Sequence, residues 1–408
     1  MSLPNKIPTA WGGAQQAQRP RVDPLVLDLD GDGLESIGIN PDHPVYFDLS
    51  ANGVQQSVGW VKGDDGFLVR DVNGNGTIDS GAELFGDATT LTTGPNAGQK
   101  AANGFAALAD LDSNADGQIT SADAAFASLK VWRDLNQDGV SQSYEVFSLA
   151  EAGVAALNVA VSSHSMTLVN GNRIADLGSY VRSDGSAVTL GDAGLTGDID
   201  LAVDTFHTQF VDTLPITPEA EALPDMQGAG QVRTLREAAS VNSTLAALLT
   251  QFAGATTRSA QMALMDGILK EWSNTSTMAT TFTGAYAGHA LPVNIQGASG
   301  AAYTAWAEKL SLLERFNGRT FNAVPAGTGA VTVNLWTTSQ ALLQQSYDAL
   351  KTSVYQSLAL QTRLKPYLDQ VGLTVTETGV KLDFTSVGSA FDARLAADAV
   401  NGLTDLAE

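Results

Sequence analysis

The chain has 408 residues, 44% of them hydrophobic, which is enough for two or three domains with ordinary cores. Its 44 Asp and Glu outnumber 22 Lys and Arg, and the net charge of −22 argues against binding nucleic acid or an anionic membrane and favours cations as partners. The lack of cysteine excludes disulfides, thiolate zinc sites and a cysteine nucleophile, and no apolar run is long enough for a transmembrane segment.

The acidic residues are concentrated in the first half of the sequence. Residues 1–210 hold 27 acids and 10 bases (net −17), whereas residues 211–408 hold 17 acids and 12 bases (net −5). Three prolines and four acids near residue 218 interrupt all periodicity and favour a domain boundary there. The predicted parts are a flexible leader (1–22), an Asp- and Gly-rich module (23–211), a linker (212–224) and a helical domain (225–408).

The first acidic motif, DLDGDGLES, begins at Asp28 and has the alternating oxygen donors with which a calcium loop starts. Its expected ligands are Asp28, Asp30, Asp32 and the Leu34 carbonyl. No acid stands at the twelfth position, so the coordination shell needs a ligand from elsewhere. Asp48, Asp64 and Asp65 are the candidates, and the sequence does not choose among them.

The second motif, DVNGNGTIDSGAE, is a variant calcium loop at residues 71–83. A twelve-residue loop has ligands at positions 1, 3, 5, 7, 9 and 12 and glycine at position 6. In this motif the closing glutamate falls at position 13. The expected ligands are Asp71, Asn73, Asn75, the Thr77 carbonyl, Asp79 and Glu83.

The third motif, DSNADGQITSAD at residues 112–123, fits the calcium-loop spacing throughout. Its expected ligands are Asp112, Asn114, Asp116, the Gln118 carbonyl, Thr120 and Asp123. The segments on both sides have helical character, which predicts an EF-hand-like helix–loop–helix unit.

The fourth motif, DLNQDGVSQSYE at residues 134–145, has serine where position 8 is usually apolar. Its expected ligands are Asp134, Asn136, Asp138, the Val140 carbonyl and Glu145. A helix shared with the preceding loop is expected to join the two loops into a paired unit. The predicted fold class is therefore α+β: a module of calcium loops, EF-hand-like units and short strands, followed by a mostly α-helical domain.

A single motif of this kind is also typical of a solvated turn, because Asp, Asn and Gly favour turns. Four such motifs within about 120 residues indicate Ca²⁺ instead. Magnesium fits less well, because it prefers few protein ligands and retained water. Without metal the clustered carboxylates repel one another, so calcium is expected to act as a folding switch.

Beyond the boundary, apolar residues recur at helical spacing, and Pro366 predicts a kink or break in the last pattern. The four predicted helical segments are residues 233–252, 257–272, 299–316 and 338–371.

The Asp23-Pro24 peptide lies four residues ahead of the first calcium motif. An Asp carboxylate can attack its own main-chain carbonyl carbon, close a five-membered anhydride and expel the next nitrogen. Proline favours this reaction, because its tertiary amide holds the planar trans form less strongly. The protein must orient the carboxylate and protonate the departing nitrogen. His43 is a candidate proton donor, and the structural alternative is that Asp-Pro is only a turn or strand entry.

Several stretches in the same order resemble the self-processing module of FrpC-like RTX proteins: DPLVLDLDGDGLE, GWVKGDDGFLVRDVNGNGTIDSGAELFGD, NGFAALADLDSNADGQITSADAAF and LKVWRDLNQDGVSQSYE. The resemblance covers about residues 23–210 and implies calcium-induced autocatalytic cleavage of the Asp23-Pro24 bond. It also implies that the aspartyl anhydride is captured by water or by a lysine ε-amine, giving an Asp-Lys isopeptide cross-link. The second half is similar to the helical segment that follows such modules in large type I-secreted bacterial proteins.

The leading hypothesis is a single-turnover, self-cleaving and cross-linking module of a secreted bacterial toxin or adhesin, exported by a type I or other non-classical route. The acceptor lysine is one of nine in the chain or lies on another protein. The first alternative is a calcium-stabilised structural or adhesion module without chemistry. The second is an effector whose helical half carries the activity. No nucleophile elbow or catalytic triad spacing supports a hydrolase acting on external substrates.

Overall fold

The computed structural model describes residues 21–183, 194–283, 285–286, 289–290, 292–321, 333–376 and 379–408. These residues form two compact units, one ending at Asp212 and the other beginning at Thr213. Helices and antiparallel sheets are both present, which confirms the α+β class.

The first unit is built mainly of short strands separated by Gly- and Asn-rich turns, as its sequence pattern favours. The strands are β1 (Arg21–Val22), β2 (Leu25–Leu27), β3 (Ser36–Ile37), β4 (Val45–Phe47), β5 (Val54–Val58), β6 (Trp60–Val61), β7 (Gly66–Val69), β8 (Gln118–Ile119), β9 (Lys130–Trp132), β10 (Val146–Ser148), β11 (Val154–Asn158), β12 (Ser162–Thr167), β13 (Arg173–Arg182) and β14 (Leu195–Phe210). One α-helix, α1 (Gly104–Ala109), and one 3₁₀ turn (Phe126–Ser128) complete the described part of this unit.

Strand β14 organises the sheet. Twelve of the described strands join in one sheet, whose main path runs β10-β9-β7-β2-β14-β13-β11-β8. Because β14 is 16 residues long, β1, β2 and β5 all pair with it in antiparallel orientation along its length. The Asp23-Pro24 bond therefore lies between β1 and β2, which both pair with β14.

Strand β2 is buried on both faces. Val26 packs into a cluster with Trp60 and Trp132, whereas Leu25 and Leu27 pack into a second cluster on the opposite face. Each fully buried aliphatic side chain contributes roughly 1.5–3 kcal/mol of hydrophobic stabilisation. The chain immediately after the Asp-Pro bond is thus firmly fixed in the core.

The helix predicted between the third and fourth calcium motifs does not form. Only one 3₁₀ turn follows Asp123, and the chain then enters β9. Val131 and Trp132 are buried in the two clusters on opposite faces, and this period-2 burial outweighs the helical propensity of the Ala-rich run. The third motif is therefore preceded by a helix and followed by a turn and a strand, so the predicted EF-hand-like helix–loop–helix unit and its shared helix are wrong.

The second unit is mainly helical, as predicted. Its helices are α2 (Pro218–Glu221), α3 (Leu235–Val241), α4 (Ser243–Gly254), α5 (Arg258–Ser273), α6 (Gly300–Asn317), α7 (Thr337–Gln361), α8 (Lys365–Leu368), α9 (Thr385–Ala397) and α10 (Ala399–Ala407). Its strands are β15 (Ala285–Tyr286), β16 (His289–Ala290), β17 (Val293–Ile295), β18 (Val333–Leu335), β19 (Gly372–Thr376) and β20 (Gly379–Asp383).

The break predicted at Pro366 is confirmed, since α7 ends at Gln361 and Pro366 lies in the first turn of the short α8. The first predicted helix is divided at Asn242, whose side chain accepts a hydrogen bond from the Leu245 N–H at 3.0 Å and caps α4. Among the described helices of the chain, none is long and apolar enough to cross a membrane.

Candidate functional site

The Asp23-Pro24 bond is held by the sheet on both sides. Val22 pairs with Leu201 and Leu25 with Asp198, so an unbroken register carries Asp23 opposite Asp200. The Ile199 N–H donates to the Pro24 carbonyl at 3.0 Å, and the Leu25 N–H donates to the Phe85 carbonyl at 2.8 Å. Both Asp23 and Pro24 are buried. The bond is therefore a fixed and desolvated part of the first unit.

Carboxylates surround this bond. Because side chains alternate along strands, Asp198 and Asp200 lie on the same face of the sheet as Asp23. The Asp87 N–H donates to Asp23 Oδ1 at 2.8 Å. Arg173 forms an ion pair with Asp200 and compensates its charge. We refer to Asp23, Asp87, Asp198 and Asp200 as the Asp23 cluster.

Burial perturbs the acidity of three members of the cluster. Desolvation raises the pKa of Asp87. Desolvation, followed by the negative charge of Asp87, raises the pKa of Asp23 to about 7. Desolvation, followed by the charge of Asp23, raises the pKa of Asp198 to about 9. Near neutral pH Asp198 therefore keeps its proton, while a large fraction of Asp23 is ionised and available as a nucleophile.

Two glycines allow the chain to approach the bond closely. A Cβ atom on Gly86 would lie 2.1 Å from the Asp23 carbonyl oxygen, far inside van der Waals contact. A Cβ atom on Gly104 would lie 2.8 Å from the Phe85 carbonyl oxygen and 3.1 Å from Leu25 Cβ. Only glycine fits at these two positions without displacement of the surrounding backbone.

The first calcium motif brings three carboxylates together. Oxygens of Asp28, Asp30 and Asp65 lie within 4.8 Å of one another. Asp65 Oδ2 accepts from the Glu35 N–H at 2.8 Å, whereas Asp65 Oδ1 is buried and has no hydrogen-bond partner among the described residues. Burial raises the pKa of Asp65 to about 8. A buried oxygen without a partner, among carboxylates at this spacing, fits a bound Ca²⁺ ion.

Of the three candidates that the sequence left open for the missing ligand, Asp65 is the one whose oxygens lie near those of Asp28 and Asp30. Asp32, predicted as a ligand, is exposed, and its N–H donates to Asp30 Oδ1 at 3.3 Å. Asp48 instead accepts from the N–H groups of Asn52 and Gly53, at 3.0 and 2.7 Å.

The other three motifs share one backbone conformation. In each, the leading aspartate accepts the N–H of the glycine at position 6, at 2.9 Å for Asp71 and Asp112 and 2.8 Å for Asp134. Position 4 has positive φ in all three, at Gly74, Ala115 and Gln137. The predicted ligands in the middle of these motifs lie at the surface, exposed or half-buried: Asn73, Asn75, Thr77, Asp79, Asn114, Asp116, Gln118, Asn136, Asp138 and Val140.

The closing carboxylates are buried and tie each loop end to its beginning. Glu83 accepts from the N–H groups of Val72 and Asp79, at 3.3 and 2.9 Å. Asp123 and Glu145 do the same in their own loops. The glutamate at position 13 therefore makes the same kind of closing contact as the acids at position 12.

The fourth motif pairs with the second, not with the third as predicted. The Ile78 N–H donates to Ser141 Oγ at 2.6 Å, and the Ser141 hydroxyl donates to the Ile78 carbonyl at 3.2 Å. These residues occupy position 8 of their loops, which explains the serine there. Position 8 of the third motif, Ile119, pairs with Leu157 of β11 instead.

Sequence reasoning missed the rest of the Asp23 cluster. The available signal was the run GDIDLAVD around Asp198 and Asp200, where acids alternate with apolar residues in a strand. Carboxylates that point from a strand into the protein core are unusual unless they have a specific role. His43, considered as the proton donor, is exposed, whereas the bond is buried.

The first unit is similar to SPM domains: the family model described as SPM domain matches residues 25–196. The match begins at the residue after Pro24 and ends within β14.

The chain is also similar to the iron-regulated protein FrpA of Neisseria meningitidis serogroup C. The two sequences are 37% identical over an aligned length of 408. The alignment covers 95% of this chain and 35% of FrpA. The chain therefore spans about a third of the length of this curated relative.

Proposed function

We propose that the first unit is a calcium-induced self-processing module that cleaves its own Asp23-Pro24 bond. The observation that carries the proposal is the environment of this bond: Asp23 is buried, its carboxylate is oriented by the Asp87 N–H, and the main chain is pinned on the Pro24 side. The similarity to SPM domains, whose model begins at residue 25, supports the same position.

The chemistry balances within the chain. An Asp23 carboxylate oxygen bonds to the Asp23 carbonyl carbon, the carbon–nitrogen bond to Pro24 breaks, and the proline nitrogen takes a proton from an acid. The products are a C-terminal five-membered anhydride and a new N-terminal proline. Water opens the anhydride to aspartic acid, or a lysine ε-amine opens it to an Asp-Lys isopeptide bond. Fixing the carboxylate beside its own carbonyl supplies the proximity this step needs.

Calcium control follows from where the loops lie along the chain. The first motif begins at Asp28, directly after β2. The second ends at Glu83, three residues before Gly86, and the third begins at Asp112, just after α1. Bound Ca²⁺ supplies positive charge that compensates the clustered carboxylates and fixes these loops. The chain segments next to the loops then hold Gly86, Asp87 and Gly104 against the bond.

This control has a cellular logic for a secreted protein of the RTX type. Cytosolic calcium is low and extracellular calcium is high, so the bond survives synthesis and breaks after export. The cleavage is a single-turnover event, and the capture of the anhydride by a lysine on another protein attaches the released N-terminal part to that protein.

The test is intact mass measurement of the chain purified in chelator and then given millimolar calcium near neutral pH. Cleavage after Asp23 yields residues 1–23 and 24–408. Asp23→Ala must stay intact, while the matched exposed variant Asp42→Ala must cleave as the parent does. An intact parent whose melting temperature rises with calcium would instead establish the calcium-stabilised structural module without chemistry.

A further inference from the structure

Expulsion of proline needs a proton donor at a buried bond. Asp23 is only 7% exposed and Pro24 is buried, so bulk water has little access to the departing nitrogen. A general acid must therefore come from the side chains around the bond.

The neighbouring groups differ in their ability to donate. Arg173 is a permanent cation that does not give up its proton, and it forms an ion pair with Asp200. The Lys100 amine is bound to the Ala88 carbonyl. Asp87 lies at the surface, and it is its backbone N–H that donates to the attacking carboxylate of Asp23.

Asp198 has the properties of the missing acid. It is 1% exposed, and its Oδ1 atom has no hydrogen-bond partner among the described residues. Its Oδ2 atom accepts the Gly104 N–H at 3.3 Å, which fixes the carboxyl group in place. One oxygen is thus oriented by the backbone, and the other is free to carry a proton.

The register and packing place Asp198 beside the scissile segment. Asp198 pairs with Leu25, the residue after Pro24, and lies on the same face of the sheet as Asp23. Gly104, which binds the Asp198 carboxyl, packs so closely that a Cβ atom there would lie 3.4 Å from the Leu25 nitrogen.

We propose that Asp198 is the general acid of the self-cleavage proposed above, and that its carboxyl proton is delivered to the Pro24 nitrogen as the bond breaks. The O–H bond of Asp198 breaks and an N–H bond forms on proline, which leaves Asp198 as a carboxylate. The water or lysine amine that opens the anhydride returns a proton to it. This inference rests on the proposed function and adds a named residue to it.

The charges around Asp198 favour this order of events. The carboxyl groups that face it are Asp23, Asp200 and Asp176, and burial together with the Asp23 charge keeps its pKa near 9. When Asp23 becomes an uncharged anhydride, the largest of these repulsions disappears. Asp198 therefore becomes a stronger acid as the reaction proceeds.

The experiment measures single-turnover cleavage at saturating calcium across pH 5–10 in the full chain. The parent rate is expected to decline at alkaline pH as Asp198 ionises. Asp198→Asn, which has nearly the same shape but no acidic proton, is expected to cleave about 10²- to 10⁴-fold more slowly and to lose this alkaline decline. Asp198→Glu keeps an acid and is expected to retain the decline with a shifted midpoint.

Two controls separate acid catalysis from folding. Asp204→Asn makes the same chemical change on the same strand and is expected to cleave at the parent rate. The calcium-dependent rise in melting temperature is expected to persist in Asp198→Asn. If the parent does not cleave, the proposed function fails. If the parent cleaves and Asp198→Asn cleaves equally fast, or slows but keeps the alkaline decline, the assignment of Asp198 is wrong and the function stands.

Discussion

Gly86→Ala perturbs the cleavage site without removing any reacting group. The new methyl group would lie 2.1 Å from the Asp23 carbonyl oxygen and 3.0 Å from its carbon. Both are backbone atoms, which cannot rotate aside. The Gly86 φ angle is not in the left-handed region, so the change acts through this contact and not through backbone strain.

The magnitude follows from the geometry. Real Cβ atoms essentially never approach another heavy atom closer than 3.0 Å, whereas the new methyl carbon would lie 2.1 Å from the Asp23 carbonyl oxygen. Gly86 and this carbonyl group must therefore move apart by about 0.9 Å. The same displacement moves the neighbouring Asp87 N–H away from Asp23 Oδ1, to which it donates at 2.8 Å. A misplacement of about 1 Å typically costs about 10²-fold in rate, or about 2.7 kcal/mol in the barrier.

The assay is the rate of appearance of residues 24–408 by mass spectrometry at saturating calcium. Gly254→Ala is the matched control, because a Cβ atom there meets nothing within 4 Å, and it is expected to cleave at the parent rate. The calcium-bound melting temperature checks that each variant folds. If Gly86→Ala folds and cleaves as fast as the parent, the close approach of Gly86 does not orient the reaction, and this reasoning is refuted.

Four further outcomes are expected. Because the attacking form of Asp23 is the carboxylate and its pKa is raised to about 7, the cleavage rate should rise about tenfold per pH unit below 7 and then level off until the alkaline decline expected from Asp198 begins. A rate independent of pH between 5 and 7 would contradict this. Asp65→Asn should raise the calcium concentration for half-maximal cleavage, while Asp42→Asn should not. In metal-free protein, Asp65→Asn should also raise the melting temperature, and the rise should be larger at pH 8 than at pH 5. The reason is that the pKa of Asp65 is raised in the folded protein, so ionisation of this carboxyl group destabilises the fold increasingly as pH rises towards 8. An unchanged melting temperature at pH 8 would count against a buried charge at Asp65. Ser141→Ala removes both hydrogen bonds to Ile78 and should destabilise the calcium-bound unit by about 1–3 kcal/mol in denaturant titrations, and no loss would show that the two loops are not coupled there.

The spacing of Asp and Gly was enough to predict the conformation of the acidic loops, because loop conformation is a local property. The glycine at position 6 and the closing carboxylates occupy the places that the pattern indicates, even in the loop whose acid is at position 13. The partner of each loop was not predictable in this way. Ile78 and Ser141 are 63 residues apart, and only the sheet brings them together.

The wrong prediction of a helix after Asp123 also comes from contacts between residues that are distant in the sequence. The run SADAAFASLKVW has good helix formers, but Val131 and Trp132 are buried on opposite faces of the sheet, and tertiary burial decided the conformation. The long helices of the second unit were predictable, because their apolar periodicity extends over several turns.

The carboxylates around the Asp23-Pro24 bond are brought together by a strand register that spans most of the first unit. Asp198 and Asp23 are 175 positions apart, and an antiparallel register sets them on one face. A shift of one residue would turn Asp198 to the opposite face. The sequence therefore indicated the Asp23-Pro24 bond but not Asp198, the residue proposed as its acid.

The most direct test of the central claim is the intact mass of the chelator-purified chain before and after calcium is added at neutral pH. The account predicts conversion to products that separate between Asp23 and Pro24, dependent on calcium and abolished by Asp23→Ala. A chain that binds calcium, folds and keeps its full mass after prolonged incubation would contradict it.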